Sequence, residues 1–221
     1  MADTTGRPSG RSWNPLARSP IAPADPVEVR DGWQVSSRSS ISPLQLSDRC
    51  PLAKVAVRPA GGAAASRSDS ARSTAITAAL GVGFGQAVRR SDGVLVVGSG
   101  PGEWLLIGAP GTAASLAAGA PAGSQTVDLT HGRALVRLTG ADAATVLSKV
   151  CAIDLRDRVT PNGAAFRSTV AKVVVDVVRD DVGGVRSYLL HCERSSGQYF
   201  FDALLDAGHE FGIDVAGLAP F

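Results

Sequence analysis

Residues 94 to 107 read VLVVGSGPGEWLLI, an apolar run, a burst of glycine and a second apolar run. A strand followed by a glycine-rich turn is also how dinucleotide-binding folds open, with backbone N–H groups and a helix N-terminus turned toward a pyrophosphate. The register excludes that reading. The G-x-G-x-x-G fingerprint places its third glycine at position 103, where this chain has Glu103, whose carboxylate would repel a phosphate. Trp104, Leu105, Leu106 and Ile107 then form a short apolar run closed by Gly108 and Pro110, the length and punctuation of a strand rather than of an opening helix. The stretch reads as a β-hairpin.

Outward from that hairpin, the periodicities predict strand 52–58, helix 71–80, strands 93–98 and 103–108, helix 112–119 and strand 125–129. The same order then begins again. Strand 133–138 alternates Ala134, Val136 and Leu138 on one face with Arg133 and Arg137 on the other, the pattern of a half-buried strand. Helix 141–150 carries an apolar stripe of Ala143, Val146, Leu147 and Val150, with Thr139 as its expected N-cap and Asp142 three positions on. STVAKVVVDVVR (168–179) and VRSYLLHC (185–192) flank DDVGG and predict a second hairpin. Ser195, with Gln198 three residues later, is expected to cap a last helix whose inner face is Phe200, Leu204, Ala207 and Phe211. Gly212 suits the left-handed position that ends it, and Ile213 to Val215 can add a short strand.

The expected fold is α+β, with tandem ferredoxin-like βαββαβ units at residues 41–130 and 131–221. Residues 1–40 are rich in Pro, Ser, Gly and Arg without sustained periodicity and read as a flexible N-terminal extension; AGGAAASRSDS at 60–70 reads as a second mobile loop.

Composition narrows the function classes. The 221 residues, 44% hydrophobic, supply a substantial core. Lys and Arg (22) and Asp and Glu (20) are interspersed, so no electrostatic footprint for nucleic acid or an anionic membrane surface stands out. The longest apolar runs are too short to span a bilayer, and MADTTGRPSGRSWNPLARSP lacks the apolar centre of a secretory signal. Cys50, Cys151 and Cys192 show no ligand or redox spacing, which fits a reducing cytoplasm.

A hydrolase needs a nucleophile with a base, and the candidates are Ser195, Cys151 or Cys192 with His131, His191 or His209. None has a supporting motif. Ser195 is better placed as a helix cap, and Cys151 and Cys192 as small core residues. His191 and Cys192, adjacent in a strand, point to opposite faces and cannot share a metal; His131 falls in a turn and His209 on the polar side of the last helix. The connection AIDLRDRVTPNGAAFR (152–167) is long for a compact domain. Its Asp154, Arg156, Asp157 and Arg158 suit an internal salt-bridge net or a docking surface.

VDLTHGRALVRLTGADAATVLSKVCAIDL, GAAFRSTVAKVVVDVVR and ERSSGQYFFDALLDAGHEFGI, together with PGEWLLIG and RCPLAKVAV, resemble the gamma-subunit family of heterotetrameric sarcosine oxidases over roughly residues 40 to 221. That family is similar in fold to the folate-binding part of the glycine-cleavage aminomethyltransferase. The resemblance implies a noncatalytic subunit, with no catalytic, cofactor or metal residues of its own. Alpha and beta subunits would carry NAD, FAD and FMN, the alpha subunit tetrahydrofolate, and a delta subunit zinc. Their complex would demethylate sarcosine to glycine, hydrogen peroxide and formaldehyde or methylenetetrahydrofolate. Where the transferase has a pair of aspartates, the resemblance places Val173 and Val174, which cannot transfer a proton, and its asparagine falls near Glu193. The Lys-Gly-Cys-x-x-Gly-Gln motif of a second folate-binding relative does not occur. The alternative is a free-standing folate-binding protein of the same fold.

Overall fold

The computed structural model describes residues 16–61 and 67–219. Its elements are β1 (Ala17–Arg18), β2 (Val27–Arg30), β3 (Trp33–Ser36), β4 (Gln45–Asp48), β5 (Ala53–Pro59), α1 (Arg67–Leu80), β6 (Ala87–Arg89), β7 (Leu95–Gly100) and β8 (Glu103–Gly108). They continue as α2 (Ala113–Ala118), β9 (Ser124–Asp128), β10 (Arg133–Thr139), α3 (Ala143–Val150), β11 (Ala165–Val170), β12 (Val173–Arg179), β13 (Ser187–Glu193), α4 (Gly197–Gly208) and β14 (Asp214–Ala216).

The first unit is a 5-stranded sheet in the order β6-β7-β8-β5-β9, and the second a 6-stranded sheet in the order β11-β12-β13-β10-β4-β14. Without its edge strand β6, the first keeps the antiparallel neighbours of a βαββαβ unit, β7 beside β8, β8 beside β5 and β5 beside β9. The α+β reading with duplicated ferredoxin-like units holds.

The central strands bury both faces, and the period-two alternation of side chains decides what each face meets. Trp104 and Leu106 of β8 join Val55, Val57, Val96 and Ile76 under α1 and α2, and the Trp104 indole N–H donates to the Val82 carbonyl at 2.8 Å. Leu105 and Ile107 point the other way, into a layer shared with Leu135, Val178 and Leu189 of the second sheet. On that sheet Val136, Leu138, Tyr188 and Leu190 face α3 and α4, packing on Val146, Leu147, Phe200 and Leu204. Helices therefore cover the outside of two sheets packed face to face. The sheet edges are also joined, through the antiparallel bridge Gln86–Ala164 and the bonds Ala87 N–H to Gly163 carbonyl (2.6 Å) and Ala165 N–H to Gly85 carbonyl (2.9 Å).

Several expectations are corrected. The flexible extension does not include residues 16–40: β1, β2 and β3 form a 3-stranded sheet, with Trp33 and Val35 packed on Leu218 and with Ile21 in the second unit's core. Residues 1–15 lie outside the described residues. Asp31 and Gly32, at φ 50° and 76°, make the tight turn between β2 and β3, a D-G hairpin signal inside a segment whose composition resembles a linker. The 60–70 loop falls partly outside the described residues, at 62–66, and from Arg67 onward it is already α1.

The unit boundary is crossed as well. β4 sits beside β10 in the second sheet, at the position the final strand would take, and β14 pairs parallel on its outer side. β6 and β11 are added edge strands. STVAKVVVDVVR is a hairpin rather than one strand, turning at Ala171 and Lys172 with φ 47° and 66°. Thr139 does not cap α3, because its hydroxyl pairs with that of Ser187 at 2.9 Å and the helix starts after Asp142. Ser195 lies in a 3-10 turn before α4, and Gln198 instead accepts the Ala22 N–H at 2.7 Å.

The opening glycine run now has a structural cause. Pro101 and Gly102 (φ 68°) turn the chain between β7 and β8. Gly98 is where residues 83–86 cross the strand: a Cβ there would lie 2.0 Å from the Gly83 carbonyl oxygen, while the Gly98 N–H donates to the Gln86 carbonyl at 2.8 Å. Gly98→Ala is expected to destabilise the fold by about 3 kcal/mol, at the upper end of overpacking costs, because backbone blocks the added methyl. Gly100→Ala, which meets only the movable Glu103 side chain, should cost less than about 1 kcal/mol. Urea unfolding of both variants compares the two costs directly.

Candidate functional site

The apolar layer between the sheets is interrupted by charge at its two ends. At one end, cross-strand register lines up Arg167, Asp176 and His191 on β11, β12 and β13. The Arg167 guanidinium donates to the Asp176 carboxylate at 2.6 Å and 3.2 Å, and His191 Nδ1 lies 3.3 Å from the same carboxylate. Burial pulls the Asp176 carboxyl up, but hydrogen bonds from His191 and Arg167 outweigh it and hold the group below the usual carboxylate range. Burial pushes His191 down despite Asp176 beside it. A neutral ring facing an ionised carboxylate donates from Nδ1, leaving Nε2 as an acceptor. Nε2 is buried and has no partner among the described residues. His191 and Asp176 line a cavity of about 50 Å³ with Arg58, Glu103 and Arg133. Arg58 is paired with Glu103 at 3.0 Å and Arg133 with Glu193 at 2.5 Å.

At the other end, Arg137 is buried between the sheets rather than facing solvent, which corrects the half-buried reading of its strand. Its guanidinium donates to the Asp180 carboxylate (2.5 Å), the Asp180 carbonyl (2.9 Å) and the Ser187 hydroxyl (2.7 Å). Arg89 reaches the same carboxylate at 2.6 Å from the first sheet. Burial would raise Asp180, and these two guanidiniums overcome that and lower it. Arg49 donates to the Ser47 hydroxyl (3.2 Å) and the Ala219 carbonyl (2.6 Å). Burial, reinforced by the Arg137 charge, brings Arg49 down to about 10. Ser47, Arg49, Arg89, Arg137, Val182 and Ala219 are on the walls of a cleft of about 410 Å³.

The nucleophile candidates are not assembled. Ser195 and His209 are exposed, Cys151 is buried at the end of α3, and His131 stacks on Trp33 with ring centroids 4.8 Å apart. Cys192 faces the helices while His191 faces the sheet interface, as their alternation requires. Burial pushes the Cys192 thiol up to about 11 and the Cys50 thiol above the range in which a thiolate forms. Lys54 is fully buried; burial lowers it to about 8, and the Cys50 and Leu52 carbonyls accept its ammonium at 2.8 Å and 2.7 Å.

The charged connection is an internal ion-pair net. Asp154 accepts from Arg156 at 2.9 Å, and Asp157 accepts from the buried Arg179 at 2.6 Å and also from Arg186. Val174 is exposed and Val173 half-buried, but the same strand carries a partly buried carboxylate two residues beyond Val174, namely Asp176. Glu193 is exposed and paired with Arg133. Among the described residues no group of three or more His, Cys, Asp or Glu is placed to hold a metal ion, and no helix is long and apolar enough to cross a membrane.

This double-sheet architecture defines a class. Residues 106–221 match the GCVT N-terminal domain family. The aminomethyltransferase T of the glycine cleavage system from Bartonella henselae superposes with a TM-score of 0.67 at 13% identity, over 92% of this chain and 60% of that one. A chain of the heterotetrameric sarcosine oxidase from Corynebacterium sp. U-96, in complex with pyrrole 2-carboxylate, gives a TM-score of 0.58 at 24% identity, over 80% and 87%. Within that class, the sarcosine oxidase subunit gamma of Corynebacterium sp. (strain P-1) is 31% identical over 147 residues, 63% of this chain and 71% of the relative. The subunit gamma of Arthrobacter sp. is 33% identical over 115 residues, 48% of this chain and 56% of the relative. The chain belongs to the sarcosine oxidase gamma-subunit family.

The buried histidine sets a pH dependence. Its folded pKa is depressed, so the unfolded chain takes up the proton first, and stability is lost as pH falls from about 6.5 toward the folded value. The slope there should approach about 1.4 kcal/mol per pH unit for one proton. Urea unfolding at pH 7 and pH 5.5 measures it, and His191→Gln, which keeps a donor for Asp176 but does not titrate, should flatten it.

Proposed function

We propose that this chain is a noncatalytic gamma subunit of a heterotetrameric sarcosine oxidase. Its alpha, beta and delta partners would carry FAD, FMN, NAD, tetrahydrofolate and zinc. The complex would demethylate sarcosine to glycine, hydrogen peroxide and formaldehyde or methylenetetrahydrofolate. The observation that carries this reading, beyond family membership, is how the polar interior is used. Within the His191–Asp176–Arg167 row both neighbours are spent on the Asp176 carboxylate, and burial holds the thiols of Cys50 and Cys192 protonated.

Affinity purification from the native cell is expected to bring down two flavin-bearing subunits and a peroxide-forming activity on sarcosine. The chain purified by itself should be colourless after dialysis and inactive. A chain that stays alone under gentle conditions, or that retains flavin absorbance, contradicts the proposal.

A second reading, folate binding by this chain itself, is favoured by one observation: the strand matched to the transferase's aspartates does hold a partly buried carboxylate, Asp176. Tetrahydrofolate titration of the isolated chain separates the two. Saturable binding that Asp176→Asn removes supports the second, and no binding at about 1 mM, a free energy near −4.1 kcal/mol, eliminates it.

A further inference from the structure

We propose that the cleft at the Arg137 end of the sheet interface binds a small organic anion, a carboxylate or phosphate ester attached to an apolar body.

Among the described residues, Arg49 has no carboxylate hydrogen-bond partner. The guanidiniums of Arg49, Arg89 and Arg137 line the cleft, and Asp180 is engaged by Arg89 and Arg137. Arg49 is 8% exposed, and its hydrogen bonds among the described residues go to a hydroxyl and a carbonyl, both neutral. Its Nη2 donates to nothing among them. Asp48, the preceding residue at the end of β4, offsets part of the Arg49 charge through space, but its carboxylate lies on the opposite face, accepts the Cys50 N–H at 2.8 Å and makes no hydrogen bond to Arg49. Arg137 and Arg89 add to the cost of keeping the Arg49 charge out of water. A buried cation is stable when paired, so this arrangement favours an anion as the missing partner. Guanidinium forks match carboxylate and phosphate oxygens two at a time.

The other end of the interface provides an internal contrast. There Arg167, Arg58 and Arg133 each have a carboxylate, on Asp176, Glu103 and Glu193, and the cavity of about 50 Å³ leaves no room for more than a water or two. The arginine cleft, at about 410 Å³, falls within the usual size of small-molecule sites. Leu52, Val182, Ala216 and Ala219 give it apolar walls around the guanidiniums, which suits an anion carrying a hydrophobic body rather than a bare ion.

Calorimetric titration of the full chain at fixed ionic strength, with benzoate, phenyl phosphate and the neutral benzamide as probes, tests this. Saturable binding is expected for at least one anion, and the tighter of the two identifies the head group. Benzamide should bind at least about tenfold more weakly. Arg49→Gln should weaken the anion by about tenfold or more, and Arg58→Gln, at the far end, should leave it unchanged. Should Arg49→Gln fail to fold, Val182→Asp, a carboxylate placed on an exposed side chain at the cleft rim, is expected to weaken the anion by repulsion. No saturable binding of either anion at about 10 mM, or binding indifferent to both Arg49→Gln and Val182→Asp, overturns the proposal.

Discussion

The structure depends on one constraint: the central strands of both sheets have two apolar faces, and helices cover only one of them. Leu105 and Ile107 on β8, and Leu135 and Leu189 on the second sheet, are left with each other. Fully burying a side chain of that size contributes about 1.5–3 kcal/mol, so either sheet alone would leave much of its core in water. The joined edges at Gln86 and Ala164 hold the sheets in the relative position that this burial requires. Because the middle of the layer is apolar, charged side chains of the inner faces collect at its ends, and both candidate sites lie there.

The order of elements was legible because each carries its own period. Alternation marked β10, and the stripe of Ala143, Val146 and Leu147 marked α3. What stayed hidden has identifiable causes. Ala171 and Lys172 turn the chain with positive φ without the Asn or Gly that usually announces such a turn, so β11 and β12 read as one strand. Asp31-Gly32 does carry that signal, but the polar, proline-containing composition around it obscured a sheet anchored by Trp33. β4 has no local feature that says it will cross into the other unit's sheet, because strand exchange is a property of the whole chain's packing.

The candidate sites were less legible than the fold for a related reason. Arg137 alternates with apolar residues as a solvent-facing arginine would, and only the second sheet covering that face makes it buried. Asp180 looked like part of a turn, yet it holds Arg137 and Arg89 from opposite sheets. Val173 and Val174 suggested that the strand had lost its carboxylate, while Asp176, further along, is the residue that alternation and register bring to His191. Glu103, which argued against a phosphate loop, ends as an acidic residue beside that pair. Among the described residues, the Arg49 guanidinium is the buried one in these two clusters whose hydrogen bonds go to neutral groups.

Equilibrium unfolding in urea, followed by single-tryptophan variants, tests the shared interface most directly. Trp104 reports on the helix side of the first unit, and a tryptophan introduced by Phe200→Trp, with the native tryptophans replaced, on the helix side of the second. If the two sheets stand or fall together, both probes give one coincident transition with the same midpoint and slope. Separate transitions, with one unit remaining folded while the other unfolds, would contradict the dependence of each sheet on the other.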